Sequence, residues 1–193
     1  GVVADFMTFR NGAMPASRYG DFAKRCANYV RNSNGARIWI IGNEMNHPIE
    51  RPGVKQEGDR LVNPGEAITP SMYANCYRQC RAAIKAAPGH QNDQVIIGAP
   101  APWNAQTVYD GNPHGDWCKY LTDILTILGP ANCDGIAIHT YTHGSNPEFI
   151  YNEYKMGDER FRTREYHFRT YRDFMQAIPN SMRSLPVYLT ETD

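Results

Sequence analysis

Two glutamates end apolar segments of this chain, and carboxyl groups placed in this way can carry out acid/base chemistry. Glu44 follows the apolar letters WII in the stretch WIIGNE, and Glu191 closes the stretch LPVYLTE. A pair of carboxyl groups can cleave a glycosidic bond, because one donates a proton to the leaving oxygen while the other attacks or stabilises the cationic carbon. Repulsion between two such groups keeps one of them protonated, which is what the proton donor requires.

Other residues that can contact a sugar stand near the ends of similar segments. Asn43 precedes Glu44, and its amide can hydrogen-bond a sugar hydroxyl. Trp103 lies in the stretch PAPWN after a second apolar segment, a setting that favours ligand stacking. His139 and Tyr141 end a third segment, where a structural role for the histidine is as well supported as a role in the site. We predict Asn43, Trp103, His139 and Tyr141 as substrate-binding residues.

The apolar segments that carry these residues are predicted to be buried β-strands. They are short, rich in β-branched residues and almost continuously apolar, which is typical of parallel strands covered on both faces. Between them lie segments with helical periodicity and helix-start signals, such as Thr69 before Pro70 and Asp116 before an apolar run. The predicted strands span 36–41, 94–99, 133–141 and 185–191, and the predicted helices span 17–32, 69–87, 115–128 and 159–178.

Strictly alternating strands and helices imply right-handed crossovers and a parallel sheet, which is either doubly wound or closed as a barrel. No glycine-rich phosphate loop follows any predicted strand, and this favours the barrel. The long loops 46–68, 100–115 and 142–158 all follow predicted strands. In α/β folds the carboxyl ends of the strands carry the active site, so we expect these loops to surround it.

The stretches WIIGNEMN and VYLTETD together resemble the retaining glycoside hydrolases of the large (β/α)8-barrel clan, in which an Asn-Glu pair ends strand four and a second Glu ends strand seven. On this resemblance Glu44 is the acid/base, Glu191 the nucleophile and Asn43 the amide that contacts the sugar 2-hydroxyl. His139 and Tyr141 fall on strand six, where family members supply side chains that orient the nucleophile. The resemblance implies a glycosidase that cleaves O-glycosidic bonds in a poly- or oligosaccharide by double displacement with retained configuration.

The expected fold class is an α/β protein of the (β/α)8 TIM-barrel type, of which the chain covers about strands three or four to seven. Such barrels typically have about 250 residues, whereas this chain has 193 and ends two residues after Glu191. We therefore expect residues 1–193 to form a single catalytic barrel domain that is incomplete. The segment VVADFMTF is a candidate for strand three, and it places Arg10 and Asn11 at the border of the site.

Charge and composition limit the possible partners. Lys plus Arg and Asp plus Glu both number 20, so the net charge is zero and attracts neither nucleic acid nor an anionic membrane. No segment approaches the ~20 consecutive apolar residues of a membrane span. The five cysteines and the histidines show no metal-site spacing, so we predict no metal and no other cofactor. The predicted partner is a carbohydrate, not nucleic acid or membrane, and a polysaccharide substrate would favour a secreted or extracellular protein.

Two alternatives remain open from the sequence. The chain could be a non-catalytic carbohydrate-binding barrel in which Glu44 and Glu191 only contact sugar. It could also be a doubly wound α/β protein that binds another small ligand, with an accidental resemblance. The order of the strands distinguishes the last of these, because a doubly wound sheet contains a reversal point.

Overall fold

The strands of the main sheet run parallel and follow one another in chain order. The computed structural model describes residues 3–5 by their backbone and residues 13–193 in full; Arg10 and Asn11 lie outside these described residues. The strands are β1 (Val3–Asp5), β2 (Ile38–Ile41), β3 (Lys55–Glu57), β4 (Arg60–Asn63), β5 (Gln94–Ile97), β6 (Ile136–His139) and β7 (Val187–Glu191). Five of them form a parallel sheet in the order β1-β2-β5-β6-β7, and β3 and β4 form a separate antiparallel hairpin. The hairpin lies in a region that the sequence predicts as an irregular loop.

The described residues form four α-helices, and three of them lie where the sequence predicts them. They are α1 (Tyr19–Arg31), α2 (Pro70–Lys85), α3 (Trp117–Leu128) and α4 (Thr170–Ala177). The two predicted caps are confirmed: the Thr69 hydroxyl accepts the N–H of Met72 at 3.4 Å, and the Asp116 carboxylate accepts the N–H of Cys118 at 2.8 Å. No helix in the described part of the chain is both long enough and apolar enough to cross a membrane.

The prediction of one long helix over 159–178 is wrong. Only its later part, α4, is α-helical, and a short 3-10 turn occupies Glu159–Phe161. Between them the chain turns back on the preceding loop, where Lys155 and Glu165 form a β-bridge and their side chains pair at 2.6 Å. These contacts between separate parts of the chain outweigh the local helical periodicity.

The helices cover one face of the sheet. Trp39, Val95 and Ile136 are buried in the large core beneath the helices, whereas their chain neighbours Ile40 and Ile96 belong to a small apolar cluster on the opposite face. Helices on one face are what strands in chain order produce, because every crossover then turns in the same direction. The strand order has no reversal point of the kind that a doubly wound sheet contains.

The predicted (β/α)8 barrel is wrong for this protein. The described residues contain an open sheet of five parallel strands, not a closed ring of eight. Closure requires the first and last strands to hydrogen-bond each other after a full circuit of tilted strands. Here β1 pairs with β2 and β7 pairs with β6, so the described strands form an arc with two separate edges.

A buried carboxylate and its hydrogen-bond partners hold the amino-terminal end of the sheet, opposite the predicted site. The carboxylate of Asp93 is 2% exposed and accepts Trp39 Nε1–H at 2.6 Å, while His90 Nδ1 lies 2.6 Å away and Arg37 lies 3.1 Å away. Burial raises the pKa of Asp93, but the hydrogen bonds from Trp39, His90 and Arg37 lower it further, so the pKa lies below its ordinary value. These contacts stabilise the fold at this end of the sheet.

Candidate active site

The carboxyl ends of β2, β6 and β7 bring Glu44, His139 and Glu191 together. Glu44 lies three residues after the end of β2, and its backbone N–H donates to the carbonyl of Ala99 beyond β5 at 2.8 Å. His139 is the last residue of β6, and Glu191 is the last residue of β7. Because β2, β5 and β6 are central strands, the ends that carry Glu44 and His139 are held on both sides by neighbouring strands.

A bulge between β6 and β7 determines the direction of Glu191. Ile138 pairs with Leu189, but His139 pairs with Glu191, so Thr190 is an extra residue in β7. Side chains alternate between the two faces of a strand, and an extra residue shifts this alternation by one. Glu191 is consequently placed opposite His139, on the same face of the sheet, instead of on the helix-covered face.

The imidazole of His139 lies between the two carboxylates. Its Nδ1 is 3.0 Å from Oε1 of Glu44, and its Nε2 is 3.5 Å from Oε1 of Glu191. One oxygen from each glutamate and one ring nitrogen all lie within 4.8 Å of one another. His139 is 2% exposed, whereas the Glu191 side chain is 48% exposed, so the cluster is buried at the imidazole and open at Glu191.

Tyr141 holds the second oxygen of Glu191. Its hydroxyl donates to Oε2 of Glu191 at 2.7 Å and lies 3.5 Å from Nδ1 of His139. Burial and the hydrogen bond to Glu191 raise the pKa of Tyr141 well above its ordinary value. The phenol therefore keeps its proton at neutral pH and acts as a fixed donor to the carboxylate.

Backbone strain in the described residues is concentrated around this cluster. Three residues other than glycine have a positive φ: Glu44 at 42°, Trp103 at 57° and His143 at 59°. Each lies in a loop that follows a strand of the main sheet, on the side of the cluster. Such conformations cost about 1–3 kcal/mol each and persist where surrounding contacts impose them, which is common at functional sites.

Trp103 joins the cluster through Tyr141 and a group of rings. Its indole N–H donates to the carbonyl of Glu165 at 2.9 Å, which fixes the orientation of the ring. The ring centroid of Trp103 lies 6.2 Å from that of Tyr141, 4.1 Å from His143 and 6.1 Å from Tyr166. His143 and Tyr166 are not among the site residues predicted from the sequence. The letters HTYTHG and EYHF contain both, but aromatic letters in a loop do not reveal which rings meet.

Asn43 is placed differently from its predicted neighbours. Together with Phe22, Met45 and Tyr73 it lines a mainly apolar pocket between β2 and the helices. Glu44 instead faces His139 on the other side of the same turn. Of the six residues predicted for the site, five are therefore linked by contacts into one group, and Asn43 borders the site from the helix side.

Asn46, which sequence analysis missed, ties the loop after β2 to the loop after β5. It is 1% exposed; its Oδ1 accepts the N–H of Ala101 at 2.7 Å, and its Nδ2 donates to the carbonyls of Ala101 at 3.0 Å and Asn104 at 3.3 Å. The Thr107 hydroxyl donates to the Asn46 carbonyl at 2.6 Å, and the buried Arg51 donates to Thr107 at 3.0 Å. This clamp fixes the loop of Glu44 against the loop of Trp103. A single asparagine in a loop carries no pattern that would reveal the role.

Glu44, His139 and Glu191 also have the donor types that bind a divalent cation. The two ring nitrogens of His139 face different carboxylates, however. A cation bound by both glutamates could bind only one ring nitrogen of His139, and the other ring nitrogen would lose its contact with a glutamate. The present arrangement fits hydrogen bonds through both nitrogens, and the absence of a cofactor stays a prediction.

Comparison with known proteins adds no family to this description. No protein-family model matches the chain, and no curated protein matches it either. The functional argument therefore starts from the geometry of Glu44, His139 and Glu191.

Proposed function

We propose that this protein is a retaining glycosidase that cleaves O-glycosidic bonds of a poly- or oligosaccharide, with Glu44 as acid/base and Glu191 as nucleophile. The observation that carries the proposal is the short distance between the two carboxyl groups, whose nearest oxygens lie within 4.8 Å. Carboxyl groups are about 5–5.5 Å apart in retaining enzymes and about 6.5–9.5 Å apart in inverting ones, where a water must fit between. The short distance supports direct attack by one carboxylate on the anomeric carbon of the sugar, without an intervening water.

The hydrogen bonds of His139 match the protonation states that the first step needs. A neutral imidazole accepts a hydrogen bond at one nitrogen and donates at the other. A protonated Glu44 can donate to Nδ1, and the N–H at Nε2 then faces the ionised carboxylate of Glu191. One tautomer of His139 is therefore compatible with a proton on Glu44 and none on Glu191.

The two glutamates then act in turn. Glu44 donates its proton to the leaving oxygen while a carboxylate oxygen of Glu191 attacks the anomeric carbon, giving a covalent glycosyl-enzyme. Glu191 loses its negative charge in that intermediate. Glu44, now ionised, removes a proton from water, which attacks the same carbon and releases the sugar with retained configuration. Tyr141 keeps Glu191 oriented through its hydrogen bond to Oε2 in both steps.

A panel of aryl glycosides tests the proposal with Glu44→Gln and Glu191→Gln. We expect Glu191→Gln to abolish hydrolysis of every substrate that the parent cleaves. Glu44→Gln should lose most activity on glycosides with poor leaving groups and least on a dinitrophenyl glycoside, because a good leaving group needs no proton. Glu57→Gln is the matched control, since Glu57 is exposed on the β3–β4 hairpin. If both site variants hydrolyse every glycoside as the parent does, the proposal is wrong.

A mechanism-based label distinguishes catalysis from sugar binding alone. A 2-deoxy-2-fluoro glycoside with a good leaving group should accumulate as a covalent adduct on Glu191, to be located by peptide mass spectrometry. A carbohydrate-binding protein without catalysis would bind the compound and release it unchanged. Parent protein that cleaves aryl glycosides but carries the label on another residue would show that Glu191 is not the nucleophile.

A further inference from the structure

We propose that the loops after β5 and β6 together carry an aromatic track that binds consecutive sugar units of a neutral polysaccharide, so that cleavage occurs within long chains. The inference rests on the proposed function of Glu44 and Glu191. The track consists of Trp103, His143, Tyr166 and Tyr154. Sugar rings present faces of C–H bonds, and these faces pack against aromatic rings.

The rings of the track are continuous with the catalytic carboxylate. Tyr141, which is hydrogen-bonded to Glu191, contacts Trp103 at 6.2 Å between ring centroids. Trp103 contacts His143 at 4.1 Å, and His143 stacks on Tyr166 at 4.5 Å with an interplanar angle of 9°. His143 and Tyr166 cover one face of each other and form a single platform, and the centroid of Trp103 lies 6.2 Å from that of Tyr141 and 6.1 Å from that of Tyr166. The track therefore has room for more than the single unit that the carboxylates attack.

A buried histidine supports the outer part of the track. His167 is 6% exposed and contacts both Tyr166 at 4.8 Å and Tyr154 at 5.9 Å. On another side it stacks on Phe149 at 4.5 Å, and its Nδ1 lies 2.5 Å from the carbonyl of Thr142. Tyr166 and Tyr154 consequently pack against a buried side chain, although they are themselves 38% and 64% exposed.

The backbone under the track is ordered by hydrogen bonds before any ligand is present. The N–H of Tyr166 donates to the carbonyl of Tyr154 at 2.8 Å, so the two tyrosines lie on adjacent stretches of chain. The Thr142 N–H donates to the carboxylate of Asp193 at 2.5 Å, which ties the start of the loop to the end of β7. A rigid surface loses little conformational freedom on binding, and this favours a ligand-binding role for the exposed rings.

Charge selects a neutral sugar chain over a single-stranded nucleic acid, which also binds to stacked aromatic rings. Burial and the neighbouring His167 lower the pKa of His143, so this ring adds no positive charge at neutral pH. The carboxylates of Glu191 and Asp193 lie at the inner end of the track and would repel phosphate. Nucleic-acid grooves instead carry cations that contact the phosphates, whereas Lys155 beside Tyr154 pairs with Glu165 and Arg169 pairs with Glu153.

The test compares Tyr166→Ala and Tyr154→Ala with Tyr151→Ala. Tyr151 is 71% exposed on the same loop and is the matched control, because it is not one of the linked rings. The substrates are β-1,4-xylan, β-1,4-mannan and mixed-linkage β-glucan beside the aryl glycoside that the parent cleaves best. We expect each track variant to lose about tenfold in kcat/KM on the polymer, the scale of one lost stacking contact, and less than twofold on the aryl glycoside. The viscosity of the polymer solution should fall well before reducing ends accumulate.

Binding is measured separately from catalysis, by retardation of Glu191→Gln in gels that contain each polymer. Adding Tyr166→Ala or Tyr154→Ala to this variant should remove the retardation, and adding Tyr151→Ala should not. A parent that cleaves aryl glycosides but neither cleaves nor binds any polymer overturns the track and leaves the proposed function intact. Equal losses in all three tyrosine variants also overturn it. Polymer retardation that depends on Tyr166 and Tyr154, in a parent that hydrolyses nothing, upholds the track and refutes the catalytic proposal.

Discussion

Removal of the Asn46 side chain should strongly destabilise the protein, because this residue links the two loops that frame the site. Asn46→Ala deletes three hydrogen bonds, two to the backbone of Ala101 and one to the carbonyl of Asn104. Ala101 is 2% exposed, so its N–H and C=O would be left without water as a substitute partner. Each buried bond contributes about 1 kcal/mol, and a stranded buried group costs about 1–3 kcal/mol. We expect Asn46→Ala to lower the free energy of unfolding by about 3–4 kcal/mol.

Asn46→Asp separates the acceptor from the donor. The carboxylate can still accept the N–H of Ala101, but its second oxygen would face the carbonyls of Ala101 and Asn104. Repulsion raises the pKa of the introduced carboxyl in the folded state, so the folded state binds more protons than the unfolded state between the two pKa values. The stability of Asn46→Asp should therefore fall as pH rises and recover as pH falls.

Urea unfolding at pH 7 and pH 4.5, followed by circular dichroism, measures both effects. Asn28→Ala is the matched control, since Asn28 lies exposed on α1, and its unfolding free energy should stay within about 0.5 kcal/mol of the parent. An Asn46→Ala protein that unfolds within 1 kcal/mol of the parent, on the order of a single hydrogen bond, would refute the reasoning. So would an Asn46→Asp protein whose stability relative to the parent does not depend on pH.

Three further changes have definite expected outcomes. Gly98→Ala would place a methyl group 2.1 Å from a backbone oxygen of the loop after β2, so we expect little folded protein on expression; Gly157→Ala, with nothing within 4 Å of the new methyl group, should fold normally. Asp93→Asn should cost about 2 kcal/mol at neutral pH; because the folded-state pKa of Asp93 is lowered, the difference in urea unfolding from the parent should shrink as pH falls below about 3.8. Tyr141→Phe removes the 2.7 Å hydrogen bond to Glu191, so kcat on the aryl glycoside should fall about 10- to 100-fold with an unchanged melting temperature, and an unchanged kcat would contradict the orienting role.

Local patterns in the sequence predicted most of the secondary structure. β2, β5, β6 and β7 lie within the predicted strands, and the caps of α2 and α3 are the predicted residues. Hydrophobic periodicity and capping depend on neighbours a few positions away, so they can be recognised without the fold. The segment 159–178 fails this rule, because pairing of Lys155 with Glu165 competes with its helical pattern.

Local sequence patterns could not predict how many strands the sheet has or whether it closes. A run of alternating strands and helices is compatible with a closed barrel and with an open arc, because both contain the same strand-helix units. Only the pairing of the edge strands distinguishes them. The described part of this chain has an arc in which β1 and β7 do not meet.

The sequence by itself determined that Glu44 follows one strand of a parallel sheet and Glu191 ends another, and that His139 and Tyr141 stand between them along the chain. The tertiary structure alone decided that these groups meet. In an unbroken β7, Glu191 would point to the same face as Val187 and away from His139, because side chains alternate along a strand. The extra residue in β7 reverses this, and the buried Asn46 clamp holds the loop of Glu44 in place. Both features consist of hydrogen bonds between segments far apart in the chain, which leave no local pattern.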